Sequence, residues 1–200
     1  DVFNIVRKEN GITAIEMINE DGKQVFSESY NSEATDEIWV YGLDGDDTFK
    51  VTGDGENLIR INVIGGEEND IYDFENTRKI KLYDHKTKEN TITNPKSKKW
   101  LVDDYKINTY DPDKRKQSEN KIMPQVDYNG DEGLSLGLKD TYTTYGLTNN
   151  PFNTQHRFDA SYYFATNGFE IGYSGEFAHI FYNWNLGIDA RYTSPNFDTI

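Results

Sequence analysis

Two stretches of this sequence carry carboxylates at spacings that could hold a cation. Val40-Tyr-Gly-Leu-Asp-Gly-Asp-Asp-Thr-Phe49 aligns with Val63-Ile-Gly-Gly-Glu-Glu-Asn-Asp-Ile-Tyr72 at an offset of 23 residues, and Lys81-Leu82-Tyr83-Asp84 opens a weaker third copy. Glycine lets the backbone turn at positive φ and aim its carbonyls inward. Aspartate supplies hard anionic oxygens, of which Ca²⁺ takes roughly six to eight. Two stacked turns could therefore share one calcium ion among Asp44, Asp46, Asp47, Glu67, Asn69 and Asp70. The competing reading, which is favoured because short motifs match by chance, makes these acidic turns between strands, with Phe49 and Tyr72 as core.

Other chemistry finds less support. His85 follows Asp84 in a polar turn and reads as a solvated surface histidine, while His156 and His179 fall near strand ends and read as interfacial rather than as ligands. Asp46/Asp47 and Asp103/Asp104 are adjacent in sequence, so in extended backbone they point to opposite faces and make poor acid/base pairs. There is no Gly-x-Ser-x-Gly elbow and no phosphate-binding loop. The expectation is no catalytic residue and no cofactor apart from the calcium candidates. Both glycine-aspartate copies resemble the calcium-binding nonapeptide of RTX proteins, Gly-Gly-x-Gly-x-Asp-x-apolar-x. The stretch from Gly42 to Lys50 lacks its second glycine and that from Gly65 to Asp73 its third. RTX repeats form long nine-residue arrays, unlike the two copies found here.

The elements that would position these turns read as short strands. β-branched and aromatic runs occur at Val2–Val6, Ile12–Ile18, Gln24–Ser27, Glu37–Tyr41, Thr48–Val51, Leu58–Ile64, Ile71–Phe74 and Lys79–Tyr83. Between them lie Asn10-Gly11, Asp21-Gly22, Asp44-Gly45 and Asp54-Gly55, which is hairpin chemistry. No segment keeps a helical apolar period for three turns. Residues 1–110 therefore read as an acidic, soluble all-β domain, either a small β-sandwich or a short β-solenoid.

Composition then changes. Residues 1–120 hold 26 acidic and 17 basic side chains, whereas residues 121–200 hold 9 and 4, and 16 of the 28 aromatic residues lie in the latter segment. Residues 111–121, polar and containing Pro112, read as a linker. Beyond it the pattern alternates with period two, the mark of strands with one apolar and one polar face. Leu134, Leu136, Leu138 and Tyr142 oppose Ser135, Gly137, Lys139 and Thr141, with Asp140 as an interruption. Similar alternation runs through Ile122–Asn129, His156–Ala165, Phe169–Ala178 and Trp184–Thr193, and Asn167-Gly168 reads as a two-residue hairpin turn. Strands of about ten residues suit a tilted bilayer crossing, and a polar face of small and charged residues suits a barrel lumen. Residues 122–200 are thus expected to be the first antiparallel strands of a transmembrane β-barrel. Five strands cannot close one, and both ends of the sequence read as cut. A net charge of −14 argues against a nucleic-acid partner, and with no cysteine there is neither a disulfide nor a thiolate site.

A family resemblance rests on Tyr128-Asn-Gly-Asp-Glu-Gly-Leu-Ser-Leu-Gly137, Asn150-Pro-Phe-Asn-Thr-Gln-His-Arg-Phe158, Tyr163-Phe-Ala-Thr-Asn-Gly-Phe169, Tyr173-Ser-Gly-Glu-Phe177 and Leu186-Gly-Ile-Asp-Ala-Arg-Tyr-Thr-Ser-Pro-Asn-Phe197. Residues 36–197 resemble the opening of the bacterial surface-antigen barrels related to BamA and TamA. More narrowly, they resemble the subgroup in which a calcineurin-like metallophosphoesterase precedes the barrel and a glycine-aspartate-rich β segment lies between. That resemblance implies the outer membrane of a Gram-negative bacterium, with residues 1–110 in the periplasm or at the cell surface. It implies outer-membrane lipid and other envelope proteins as partners, and a role in outer-membrane protein assembly or transport. The phosphoesterase and its divalent metals would lie upstream of Asp1, since none of the three histidines here sits in a Gly-Asp-x-His or Gly-Asn-His-Glu motif. The alternative is a secreted or surface calcium-binding β-domain without a membrane part.

Overall fold

The computed structural model describes residues 1–114, 117–147, 152–181 and 184–195, leaving aside the side chains of His179 and Phe181. The terminal Asp198-Thr199-Ile200 and part of the quoted Asn150–Phe158 stretch lie outside the described residues. The chain forms two compact units, Asp1–Pro112 and Asp113–Ile200.

The first unit is all-β and built from rungs. β4 (Glu37–Leu43), β6 (Arg60–Gly66), β8 (Ile80–Asp84) and β10 (Lys98–Leu101) form one parallel sheet, sheet B. β5 (Thr48–Thr52), β7 (Ile71–Phe74) and β9 (Thr91–Ile92) run parallel in a second sheet, sheet A. The chain visits the two sheets alternately, so each strand pairs with the next-but-one and the unit is a short parallel β-solenoid. Of the two architectures expected from the sequence, this is the second. At one end of sheet A, β1 (Val2–Arg7) lies parallel to β5, and β2 (Ile12–Ile18) and β3 (Gln24–Asn31) continue it antiparallel.

Alternation explains the core. In each rung, every second side chain points between the sheets. Phe3, Phe49 and Tyr72 occupy equivalent positions on β1, β5 and β7. Their rings stack at 4.8 and 5.3 Å, and Phe49 and Tyr72 are fully buried. Ile61, Val63, Ile80 and Leu82 face them from sheet B. The short strands β9 and β10, and the one-turn helix α1 (Tyr105–Asn108) capped by Asp104, did not register as elements in the sequence. β6 starts at Arg60 rather than Leu58; Leu58 and Ile59 are buried in the loop before it.

The second unit is one five-stranded antiparallel meander of β11 (Glu119–Asn129), β12 (Gly133–Thr144), β13 (Thr154–Tyr163), β14 (Gly168–Phe181) and β15 (Trp184–Thr193). β11 begins inside the stretch read as linker. The β13–β14 connection is not a two-residue turn on Asn167-Gly168. Tyr163 pairs with Gly168, which leaves a four-residue loop in which Asn167 alone adopts a left-handed φ of 51°.

Candidate functional site

The six calcium candidates fall into three columns running along the solenoid. Asp44 and Glu67 are exposed. Asp46 and Asn69 are also exposed, and Asp46 Oδ1 accepts the Asn69 N–H at 3.1 Å, while Asn69 Oδ1 accepts the Glu89 N–H at 2.9 Å. Asp47 and Asp70 turn inward and are buried. Asp70 Oδ1 accepts the Asp47 N–H at 2.8 Å, and Asn90 Oδ1 accepts the Asp70 N–H at 2.8 Å. The two hydrogen-bonded columns thus run with opposite polarity. Adjacent residues Asp46 and Asp47 take opposite sides, so the structure does not gather the six oxygen donors around one point. Among the described residues, no three His, Cys, Asp or Glu side chains are placed to hold a metal ion.

The glycines of the motif act differently from the sequence expectation. Gly45 and Gly66 have positive φ, but Gly42 and Gly65 do not; they supply room. A Cβ on Gly42 would lie 2.3 Å from Asp47 Oδ2 and 2.4 Å from the Gly65 carbonyl oxygen. A Cβ on Gly65 would lie 2.1 Å from both Asp70 Oδ2 and Tyr72 Oη. Each aspartate carboxylate folds back over the glycine five residues before it.

Around Gly65 the third rung adds Asp84, which is fully buried. Tyr72 Oη lies 2.5 Å from Asp84 Oδ2 and 3.2 Å from Asp70 Oδ2. A phenol has one proton to donate, so both contacts are hydrogen bonds only when one carboxyl carries a proton. Burial pushes the Asp70 carboxyl up to about 7, with the charges of Asp84 and Asp47 adding to the effect and the Asp47 N–H opposing it. Burial raises Asp84 and Asp47 as well. With the proton on Asp70, its O–H donates to Tyr72 Oη and the Tyr72 O–H donates to Asp84. All three groups lie in a closed interior. Asp84 was not singled out from the sequence, although Ile80, Leu82 and Asp84 share one strand parity, which places the carboxyl inside. His85 is partly exposed, with Nδ1 3.6 Å from Asp103 Oδ1.

The second unit separates its faces by register. One face carries the rows Val126–Leu136–Tyr162–Phe169 and Pro124–Leu138–Ala160–Ile171–Tyr192. The other carries Gln125–Gly137–Ser161–Glu170–Thr193 and Met123–Lys139–Asp159–Gly172–Arg191. Arg191 pairs with Glu170 at 2.8 Å, and Arg157 with Glu176 at 3.3 Å. On β12 to β14 polar-face positions are the more enclosed, with Ser135, Thr143 and Gly172 buried, whereas β11 and β15 are exposed on both faces. Apolar ones lie open: Leu136 is 46 % exposed, Ile171 52 % and Leu186 45 %. No other element of the unit covers that apolar face among the described residues. His156 sits on the apolar face against Tyr173, with Nδ1 3.0 Å from Tyr173 Oη.

Comparison of the chain with protein-family models, with curated proteins and with solved structures found no match. No helix among the described residues is long and apolar enough to cross a membrane.

Proposed function

We propose that the second unit is the opening segment of a transmembrane β-barrel in a Gram-negative outer membrane, and that the solenoid is a soluble module attached to it. The observation that carries this reading is the uncovered apolar face. In water, a sheet of this size would hide Leu136, Leu138, Ile171 and Leu186 beneath a second layer. In a barrel such residues meet lipid, while Lys139, Asp159, Glu170 and Arg191 face a wet lumen. Strands of 11, 12, 10, 14 and 10 residues reach the length that a tilted crossing needs. The resemblance to BamA- and TamA-related surface antigens supports a role in outer-membrane protein assembly or transport, with any phosphoesterase chemistry upstream of Asp1. The reading requires more strands after Ile200, because open strand edges do not persist in lipid.

These 200 residues hold no cysteine, so single-cysteine variants within them, in a parent with any cysteine elsewhere replaced, test the proposal. In outer membranes containing the full-length parent, a water-soluble maleimide should label Lys139→Cys, Ser161→Cys and Ser174→Cys. It should leave Leu138→Cys, Ala160→Cys and Ile171→Cys unlabelled. Equal labelling of the two sets, or recovery of the parent in a soluble fraction, would remove the barrel reading.

A further inference from the structure

Sheet A extends three strands past the rung formed by β4 and β5, whereas sheet B has no strand beyond β4 among the described residues. The inward row of sheet A shows the consequence. Phe26, Met17, Phe3, Phe49 and Tyr72 are successive neighbours across β3, β2, β1, β5 and β7. Phe49 and Tyr72 are fully buried, Met17 is only partly covered and Phe26 is 41 % exposed. Something with an apolar face belongs opposite them, against the free edge of β4.

The backbone at Asp1 identifies the occupant. The Thr48 N–H donates to the Asp1 carbonyl at 2.9 Å, as Ile71 N–H does to Asp47 and Thr91 N–H to Asp70, both at 2.8 Å. The Asp1 nitrogen lies 3.0 Å from Asp47 Oδ1, matching the Asp47 nitrogen on Asp70 Oδ1 and the Asp70 nitrogen on Asn90 Oδ1. Asp1 therefore occupies the first position of the inner column Asp1–Asp47–Asp70–Asn90. At Asp47 and Asp70 the chain arrives from sheet B through a tight acidic turn. We infer that the residues leading into Asp1 form a further strand of sheet B, parallel to β4, which closes the solenoid over Met17 and Phe26.

Register follows from the existing rungs. Val40 pairs with Val63 and Tyr41 with Ile64, and each pair stands at the same separation from Asp47 and Asp70 respectively. By the same phase, the residue seven before Asp1 pairs with Val40 and points inward, and the residue six before it pairs with Tyr41 and points outward. Gly42 and Gly65 each precede their aspartate by five residues, so the upstream strand carries a small residue, glycine by this rule, five before Asp1.

The test uses the full-length parent in detergent. Paired cysteines at Tyr41 and six residues upstream of Asp1, and separately at Trp39 and eight residues upstream, should form a disulfide on mild oxidation. Shifting the upstream cysteine by one residue turns it to the other face and should reduce cross-linking several-fold. Two independent pairs guard against loss of folding at Tyr41, which packs on Tyr110. Failure of both pairs in folded protein would overturn the inference. So would equal cross-linking from the shifted positions, a mature parent that begins at Asp1, or cross-links joining two copies.

Discussion

Burial among other acids raises the Asp70 carboxyl, and that has a measurable sign. Its value rises from the ordinary 3.8 to about 7, so the folded chain binds a proton that the unfolded chain has lost. The contribution is present in full below the unfolded value and disappears as pH rises through about 7, so stability falls across that window. Asp70→Asn keeps a donor for Tyr72 and an acceptor for the Asp47 N–H, the acceptor role that Asn90 plays one rung along. It should raise the unfolding free energy by a few kcal/mol at pH 8 and change it little at pH 4. A melting series over that range checks this, and an unchanged pH slope would mean that Asp70 is not the proton carrier. The glycines separate two physical roles. Gly42→Ala drives a Cβ into the Gly65 carbonyl and should cost about 3 kcal/mol or more. Gly45→Ala meets no atom within 4 Å and should cost only the roughly 1–2 kcal/mol of its left-handed backbone. Urea denaturation of both variants distinguishes space from φ; equal costs would discard the distinction.

The element that carries the aspartates is a rung, and it uses them to bond rung to rung. Each inner Asp or Asn oxygen takes the N–H of the neighbouring rung, and the outer column does the same with reversed polarity. With one oxygen of each ladder side chain bonded to backbone and the six donors spread over three columns, EGTA should leave the solenoid's melting temperature unchanged in calcium-containing buffer. A fall abolished by Asp47→Ala with Asp70→Ala would return an ion to these turns. The 23-residue offset was legible because β4/β6 and β5/β7 are consecutive rungs of equal length. The third rung pairs Ile61 with Ile80 and is shorter, which displaced its ladder residue to Asn90, outside any matching motif. β9 and β10 were missed for a related reason: at two and four residues, strands are held by their neighbours rather than by their own pattern.

In the whole molecule, the two units treat their apolar side chains differently. The solenoid hides its aromatic stack between two sheets, whereas the meander leaves its apolar rows outside. Leu136→Arg in the membrane-inserted parent should cost about 2–4 kcal/mol if Leu136 lies near the bilayer midplane; a neutral result in a reversible folding assay would place Leu136 against water or protein. The sequence by itself determined the all-β character, the change near residue 120 and the face of each long strand, because side-chain direction in extended backbone depends only on parity. It also placed Phe49 and Tyr72 in the core. Only the tertiary structure decided that the short strands stack parallel in rungs, that Gly42 and Gly65 make room for carboxylates, and that Asp84 meets Asp70 across Tyr72. Those facts depend on which distant strands become neighbours, and strand pairing is set by contacts between segments some twenty residues apart, on which local spacing is silent.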